Sequence, residues 1–455
     1  MNRDKLDFEN GKISRLFRAM FFPTLIGMVF NSALNICDGM FVGHGVGSNA
    51  LAAINIVAPL FLICTGIGLM FGIGAPVIGS IRLAEGNVKA ARIIMTQAYI
   101  AGAVIFGAVI LVSLLFTRPL LYALGCSEAL ESLATDYLLW LLPGLVFFYF
   151  QCVGMMLIRL DGSPRYAMSV QIVSAVLNIF LDWYMVFPLA MGIKGASVAT
   201  SVSCIVAGTM VLAYFVFFSD KLKFYRLRTT VKSLKLSLRN VAYMVKIGLA
   251  TFIAELSIGI MMVTGNFTFL SCLGEPGVAA FSVGCYLFPL IFSISNAVAQ
   301  SSQPIISYNY GGGHWERVRE SLHIALVTAC VCGAVISAGM WTGSEGLAAI
   351  FLNSGETAYQ LAVKGLPLLG LCALPFAINI TFIGFYQSCE RASQSIVYML
   401  LRGVIFMVPG FLLLPTVIGD DGLWLAIPFS EILTGIIIVA AYLYSRNGVQ
   451  TRLTE

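Results

Sequence analysis

Twelve apolar runs divide this chain, at roughly 20–42, 51–79, 93–116, 137–158, 167–191, 195–217, 247–270, 278–304, 322–342, 365–388, 395–417 and 422–444. A helix needs about 20 residues to cross roughly 30 Å of hydrocarbon, whereas a strand in a membrane barrel needs only about 10. Backbone that meets lipid must also satisfy its hydrogen bonds internally. Runs of this length are therefore helices, and the expected fold is an all-α integral membrane protein. Composition agrees: 59% of the 455 residues are hydrophobic and 11% are charged, the mean hydropathy is +0.90, and a soluble domain carries roughly 25% charged residues.

Lys and Arg fall unevenly between the two sets of loops. Twenty-four lie in the N-terminal tail, 82–92, 159–165, 221–246, 317–319, 391–402 and the C-terminal tail, whereas Arg118, Lys194 and Lys364 occupy the alternate loops. The asymmetry alternates correctly through every span and places both termini in the cytoplasm of a multi-pass plasma (inner) membrane protein. The first twenty residues mix both signs of charge without a short apolar core, which argues against a cleaved signal peptide. The net charge of +5 then reports orientation and attraction to anionic lipid, with no nucleic-acid partner implied.

Eleven cysteines lie mostly singly in the apolar runs and make no disulfide or zinc spacing. His44, His314 and His323 are scattered, so no transition-metal site is expected. There is no GxxxxGK[ST] phosphate loop. No organic cofactor is expected, and movement of a solute would draw on an ion gradient or be passive.

Residues 47–92 can be laid without a gap on 274–319, so that Gly47, Ala52, Ala53, Gly86 and Arg92 meet Gly274, Ala279, Ala280, Gly313 and Arg319. The shared register implies an internal duplication. Six spans per half is even, so the halves enter the membrane in the same direction, as two parallel-oriented six-helix bundles. The expected organisation is a lobe at 1–217 with its tail, a basic linker at 218–246 and a second lobe at 247–455. Within the linker, 234–246 reads either as a helix on the membrane surface or as a solvated connection. Pro23, Pro59, Pro76, Pro289 and Pro304 are expected to interrupt helices.

Ionisable groups inside spans are costly and point to function. Asp38 lies about 30 Å along its helix from Arg18, and Asp182 about 25 Å from Arg165, at about 1.5 Å per residue. Asn178, one turn before Asp182, shares its face, and Thr200 lies in the same outer half on the next span. These four could converge as an oxygen-rich cavity for a monovalent cation, or two close carboxylates could share a proton. The repeat puts Gly265 in place of Asp38, and the second half instead carries Glu255, about 13 Å beyond Lys246. Asn266, Asn296, Gln300, Gln303 and Asn379 add polar groups to this half, each alone read as an interhelical hydrogen bond, and Glu431 is a second buried-acid candidate.

The segments CDGMFVGHGVGSNALAA, LNIFLDWYMVF, MGIKGASVATSVS, ELSIGIMM and QPIISYNYGGGHWERV together resemble those of the multidrug and toxic compound extrusion (MATE) family, over nearly the whole chain. The resemblance implies an antiporter, not an enzyme, that exports bulky, often cationic amphipathic molecules by alternating access while Na+ or H+ enters. It implies Asp38, Asn178, Asp182 and Thr200 as the first-lobe cation or proton site and Glu255 as the second-lobe acid. The other polar residues, Gln151, Asn266, Gln300, Gln303 and Asn379, become candidate lining for substrate or the second lobe. Asn379 stands where some members place an Asp. Drug-like small molecules and membrane lipids are the expected partners of a monomer. A lipid-linked precursor flippase of related architecture is the competing reading; it predicts a groove lined with intramembrane Lys and Arg, which the sequence shows scarcely at all.

Overall fold

The computed structural model describes residues 6–46, 48–227 and 230–454, apart from the side chains of 33, 35–40, 42–45, 48, 49, 51, 52 and 445–454. All regular structure among the described residues is helical. The elements are α1 (Ile13–Gly45), α2 (Ser48–Ala84), α3 (Val88–Leu115), α4 (Thr117–Ala123), α5 (Glu131–Leu160), α6 (Pro164–Val186), α7 (Ile193–Ala213), α8 (Val231–Gly311), α9 (Trp315–Thr342), α10 (Ser344–Ala349), α11 (Thr357–Gly370), α12 (Ala373–Ser388), α13 (Ala392–Leu400), α14 (Met407–Ile418) and α15 (Asp421–Thr454), with π-turns at Tyr214–Phe218 and Leu401–Ile405.

Ten of these helical stretches are long and apolar enough to cross a membrane. One of them, α8, has 81 residues and contains two spans, because Gly274 breaks its helical geometry at φ 68° and ψ −160°. The pair α11 and α12, bent by 42°, makes one more span. The protein thus has twelve transmembrane helices in two six-helix sets. Pro23, Pro59 and Pro76 sit inside continuous helices, and Gly274 is the non-helical residue within α8, which also carries Pro289 and Pro304. The expected breaks at proline are therefore corrected. Residues 234–246 are helical and run without a break into the seventh span.

The repeat is visible in the backbone, both within the aligned segments and, at Gly192 and Gly419, beyond them. Gly86 and Gly313 both have φ +75°, and Gly192 and Gly419, separated by the same 227 residues, have φ +61° and +69°. A left-handed backbone is open to glycine at no steric cost, so equivalent turns have kept it. Ser80 and Ser307 are also equivalent, and their hydroxyls bond to each other at 2.5 Å.

Contacts divide the chain into two compact units, Met1–Glu255 with Gln303–Val318, and Leu256–Ser302 with Arg319–Glu455. In the first, small residues set the closest approaches: a Cβ on Gly74 would overlap the Met244 carbonyl oxygen, and one on Gly248 the Met70 carbonyl oxygen. The linker is stitched to the same unit by Asp161, which accepts from the Tyr214 and Ser219 hydroxyls at 2.9 Å and from the backbone N–H of Asp220, Lys221 and Leu222 at 3.2–3.3 Å. In the second unit Phe269 stacks on Phe281 at 4.5 Å and meets Trp424 edge-on at 5.0 Å, and Gly365 leaves the space that the Trp424 ring fills.

The three cations of the sparse loops are each neutralised locally. Arg118 pairs with Glu131 at 2.9 Å, Lys194 with Asp136 at 3.3 Å and Lys364 with Asp421 at 2.7 Å. Such exposed pairs add little stability, but they cancel the charges that run against the loop asymmetry.

The α2–α8 contact yields a direct test. Gly74→Val and Gly248→Val should each destabilise the detergent-solubilised protein by about 1–3 kcal/mol, the usual cost of forcing atoms into a packed contact. A thermal midpoint identical to wild type in both variants would show that the helices do not meet at these glycines.

Candidate functional site

Helix α6 is apolar along most of its length, yet it places Asn178 and Asp182 one turn apart and buries both, Asp182 completely. Turned with its NH2 toward the carboxylate, the Asn178 amide donates to Asp182 Oδ2 at 3.1 Å and accepts from the Thr200 backbone N–H at 3.3 Å. In the opposite orientation its Nδ2 reaches Thr200 Oγ1 at 3.4 Å. Thr200 comes from α7, where its hydroxyl also donates to the Ala196 carbonyl at 3.1 Å. Carboxylate, amide and hydroxyl therefore meet where α6 packs on α7. They supply oxygen donors of the kind that hard cations prefer.

Asp38 is carried by α1, which also packs along α6. Two contacts fix the alignment of these helices. Near their middles Gly27 of α1 faces Gln171 of α6, and farther on the Phe41 and Phe187 rings meet edge-on at 6.1 Å. The helices are thus parallel and in step, and positions 38 and 182 each lie eleven residues beyond the first contact. The backbone of residue 38 is level with Asp182; its side chain lies outside the described residues.

Glu255 is buried on α8 and belongs to the same unit. Gly66 of α2 faces it, 3.6 Å separating the Glu255 Cβ from the place where a Cβ on Gly66 would stand. Of the additional polar candidates, Gln151 is half-buried, Gln300 and Gln303 are buried one turn apart on α8, and Asn266 is exposed on α8. Asn296 turns its amide back to the Phe292 carbonyl at 3.0 Å, a bond within its own helix. Among the described residues no group of three or more His, Cys, Asp or Glu is arranged to hold a metal.

The MatE family matches this chain over residues 23–184 and 250–412, one match in each half. The chain belongs to the MatE family. It is a membrane transporter, not an enzyme. Among the relatives it resembles are a protein named FAD transporter from Shewanella oneidensis, 25% identical over 95% of each chain, and multidrug export protein MepA from Staphylococcus aureus, 22% identical over 98% of this chain and 97% of that one. A multidrug resistance MATE family transporter solved in an outward-facing conformation superposes with a TM-score of 0.89 at 20% identity, over 98% of both chains. A MOP superfamily transporter from Pyrococcus furiosus gives 0.87 at 20% identity over 97% of both. These structures establish the fold.

In this MatE chain the sequence pointed to Asn379 and Glu431 as buried polar candidates but not to the cation that joins them. Arg402, counted there with the loop cations, sits buried in the π-turn between α13 and α14. Its Nε and Nη2 donate to Glu431 Oε1 at 2.9 and 2.6 Å, and its guanidinium lies 4.2 Å from the centre of the Phe376 ring. Asn379 donates to Glu431 Oε2 and to the Glu431 carbonyl, both at 2.8 Å. The signal was available: Arg402 falls seven residues inside the run 395–417, flanked by Leu400, Leu401, Gly403 and Val404. Arg402 and Glu431 thus form an ion pair in the second unit to which Asn379 adds its hydrogen bonds, and Glu431 has its counter-ion built into the chain.

Breaking one side of a buried pair strands the other charge and costs about 3–5 kcal/mol, whereas replacing both with apolar groups is often neutral. Arg402→Met alone should therefore depress the thermal midpoint strongly, and Arg402→Met combined with Glu431→Leu should recover most of the loss. If the double variant were as unstable as the single, the network would owe its value to something other than mutual neutralisation.

Proposed function

We propose that this transporter is a cation-coupled exporter of amphipathic, often cationic small molecules. Its two lobes, 1–217 and 247–455 joined by the basic linker, open alternately to the two sides of the plasma (inner) membrane, with both termini in the cytoplasm and the protein acting as a monomer. The observation that carries this reading is Asp182, a wholly buried carboxylate in an apolar span, held by Asn178 beside Thr200. Such a group is stable only when a partner, a cation or a proton compensates its charge. Level with it on α1, Asp38 supplies the second carboxylate.

Arrival of Na+ or H+ at these groups changes the net charge of the site, and that change biases helices α1, α6 and α7 between two packings. Substrate leaves from the packing the ion favours, and ion release on the other side resets the protein. The driving force is adequate: about 1.4 kcal/mol for each pH unit and about 2.3 kcal/mol per charge per 100 mV. Glu255 is the second acid whose occupancy would follow the cycle. The lipid-linked precursor flippase is disfavoured because the intramembrane guanidinium of Arg402 is committed to Glu431 and does not offer itself to a phosphate. The relative named for FAD makes a flavin dinucleotide the second cargo to assay.

The decisive experiment is efflux of a fluorescent cationic dye, and separately of FAD, from proteoliposomes under imposed Na+ or H+ gradients. Wild type should export at least one cargo under one gradient. Asp182→Asn should abolish gradient-driven export, with the variant still extracted as a folded protein. Undiminished coupled export by Asp182→Asn would remove this residue from the coupling site, and absence of any gradient response in wild type would overturn coupling itself.

A further inference from the structure

The first unit contains a cavity of about 480 Å³ that shares no lining residue with the Asp182 site, built from the end of α2, the start of α3, the linker and the start of α8. Among the described residues its charged lining is basic: Arg82, Lys89 and Arg239. Arg82 is shared with Glu85 at 2.7 Å, and the Lys89 ammonium lies 5.7 Å from the centre of the Tyr225 ring. The back of the cavity is fixed by Gln97, which donates to Ser237 at 2.8 Å and accepts from Asn240 at 3.0 Å. One wall is the extended linker, held where the Tyr225 N–H donates to Thr96 Oγ1 at 2.9 Å and Arg92 donates to the Lys221 carbonyl at 2.7 Å.

What should occupy it follows from the first turns of α8. Ser233, Leu236, Asn240 and Tyr243 recur at helical spacing and line the cavity. Lys232, Lys235 and Arg239 form the adjacent stripe and are exposed. Beyond them Val231, Leu234 and Leu238 make an apolar stripe that is 72%, 60% and 62% exposed. A helix that shows water a basic face and an apolar face side by side is suited to the headgroup boundary of a bilayer. This one stands at the membrane end of the first unit that carries most of its Lys and Arg, where anionic lipid is attracted.

We propose that this cavity is a binding site for the headgroup of an anionic phospholipid, seated with its phosphate among Arg82, Lys89 and Arg239 and its acyl chains in the leaflet that the exposed apolar stripe of α8 enters. The site is separate from the coupling carboxylates and from the transported cargo. It ties the linker and the start of the seventh span to the lipid composition of the leaflet they face. A soluble phosphoester would meet the same cations but would gain nothing from the apolar stripe.

Delipidated protein in neutral detergent, titrated with phosphatidylglycerol and with phosphatidylcholine of identical chains and followed by native mass spectrometry and thermal midpoint, tests this. Phosphatidylglycerol should bind and raise the midpoint, and phosphatidylcholine should do neither. Lys89→Gln with Arg239→Gln, both exposed positions, should weaken phosphatidylglycerol binding about thirtyfold, roughly fivefold for each basic side chain. Equal binding of the two lipids, or unchanged phosphatidylglycerol binding by the double variant, would overturn the proposal. So would glycerol 3-phosphate producing the same shift at the same concentration, which would make this a site for soluble anions.

Discussion

Inside hydrocarbon a peptide group has no water to turn to, so each span bonds to itself and association rests on close packing and on the polar groups left over. Both are visible here. Gly144 of α5 lets Ser201 of α7 come so near that the Ser201 hydroxyl donates to the Trp140 carbonyl of α5 at 2.5 Å, and the missing side chain of Gly208 opens space over the Phe147 carbonyl. The α5–α7 contact in turn presents one face of α7 to α6. Thr200 thereby reaches Asn178, whose amide holds Asp182. The polar site depends on glycines that never touch it.

Much of this was legible in the sequence because the membrane enforces length. Helix existence and order could be read from apolar runs, and the pairing of Asn178 with Asp182 from a spacing of four. Thr200 came from depth, which a helix fixes at about 1.5 Å per residue. Breaks were less legible. Proline draws attention as a helix breaker, yet a span can close over it when neighbouring groups satisfy the freed carbonyl. The discontinuity inside a span is at Leu371–Cys372 between α11 and α12, whereas Gly274, whose φ of 68° is open to glycine, falls between the runs 247–270 and 278–304, where a connection was expected. Arg402 was lost for a different reason. Charge counting assigns every cation near a loop to the loop, and only the three-dimensional arrival of Glu431 from α15 shows that this one is inside.

The duplication explains the fold better than it explains the chemistry. Equivalent glycines have kept equivalent backbone angles in the turns, because a left-handed conformation leaves little choice of residue. The ionisable positions carry no such geometric demand. Asp182 and Thr200 correspond to Pro409 and Ile427, while Asn379 and Glu431 correspond to Cys152 and Cys204. Each half thus buries a polar cluster at positions where its counterpart holds thiols, hydrocarbon or proline.

That divergence has a physical consequence for how charge is handled. In the second half the buried acid Glu431 meets a guanidinium at 2.6 Å, an amide at 2.8 Å and no obligatory mobile ion. The first half holds Asp182 with an uncharged amide beside a threonine hydroxyl, neither of which can cancel a full charge. A carboxylate compensated by its own chain stays compensated through any motion that keeps Arg402 and Glu431 together, so it stabilises one packing of its helices. Under the function proposed above, Asp182 is instead the acid that responds to an ion arriving from solution. Two copies of one six-helix pattern thus surround their buried acids with different chemistry, a guanidinium and an amide in one half and an amide beside a threonine in the other.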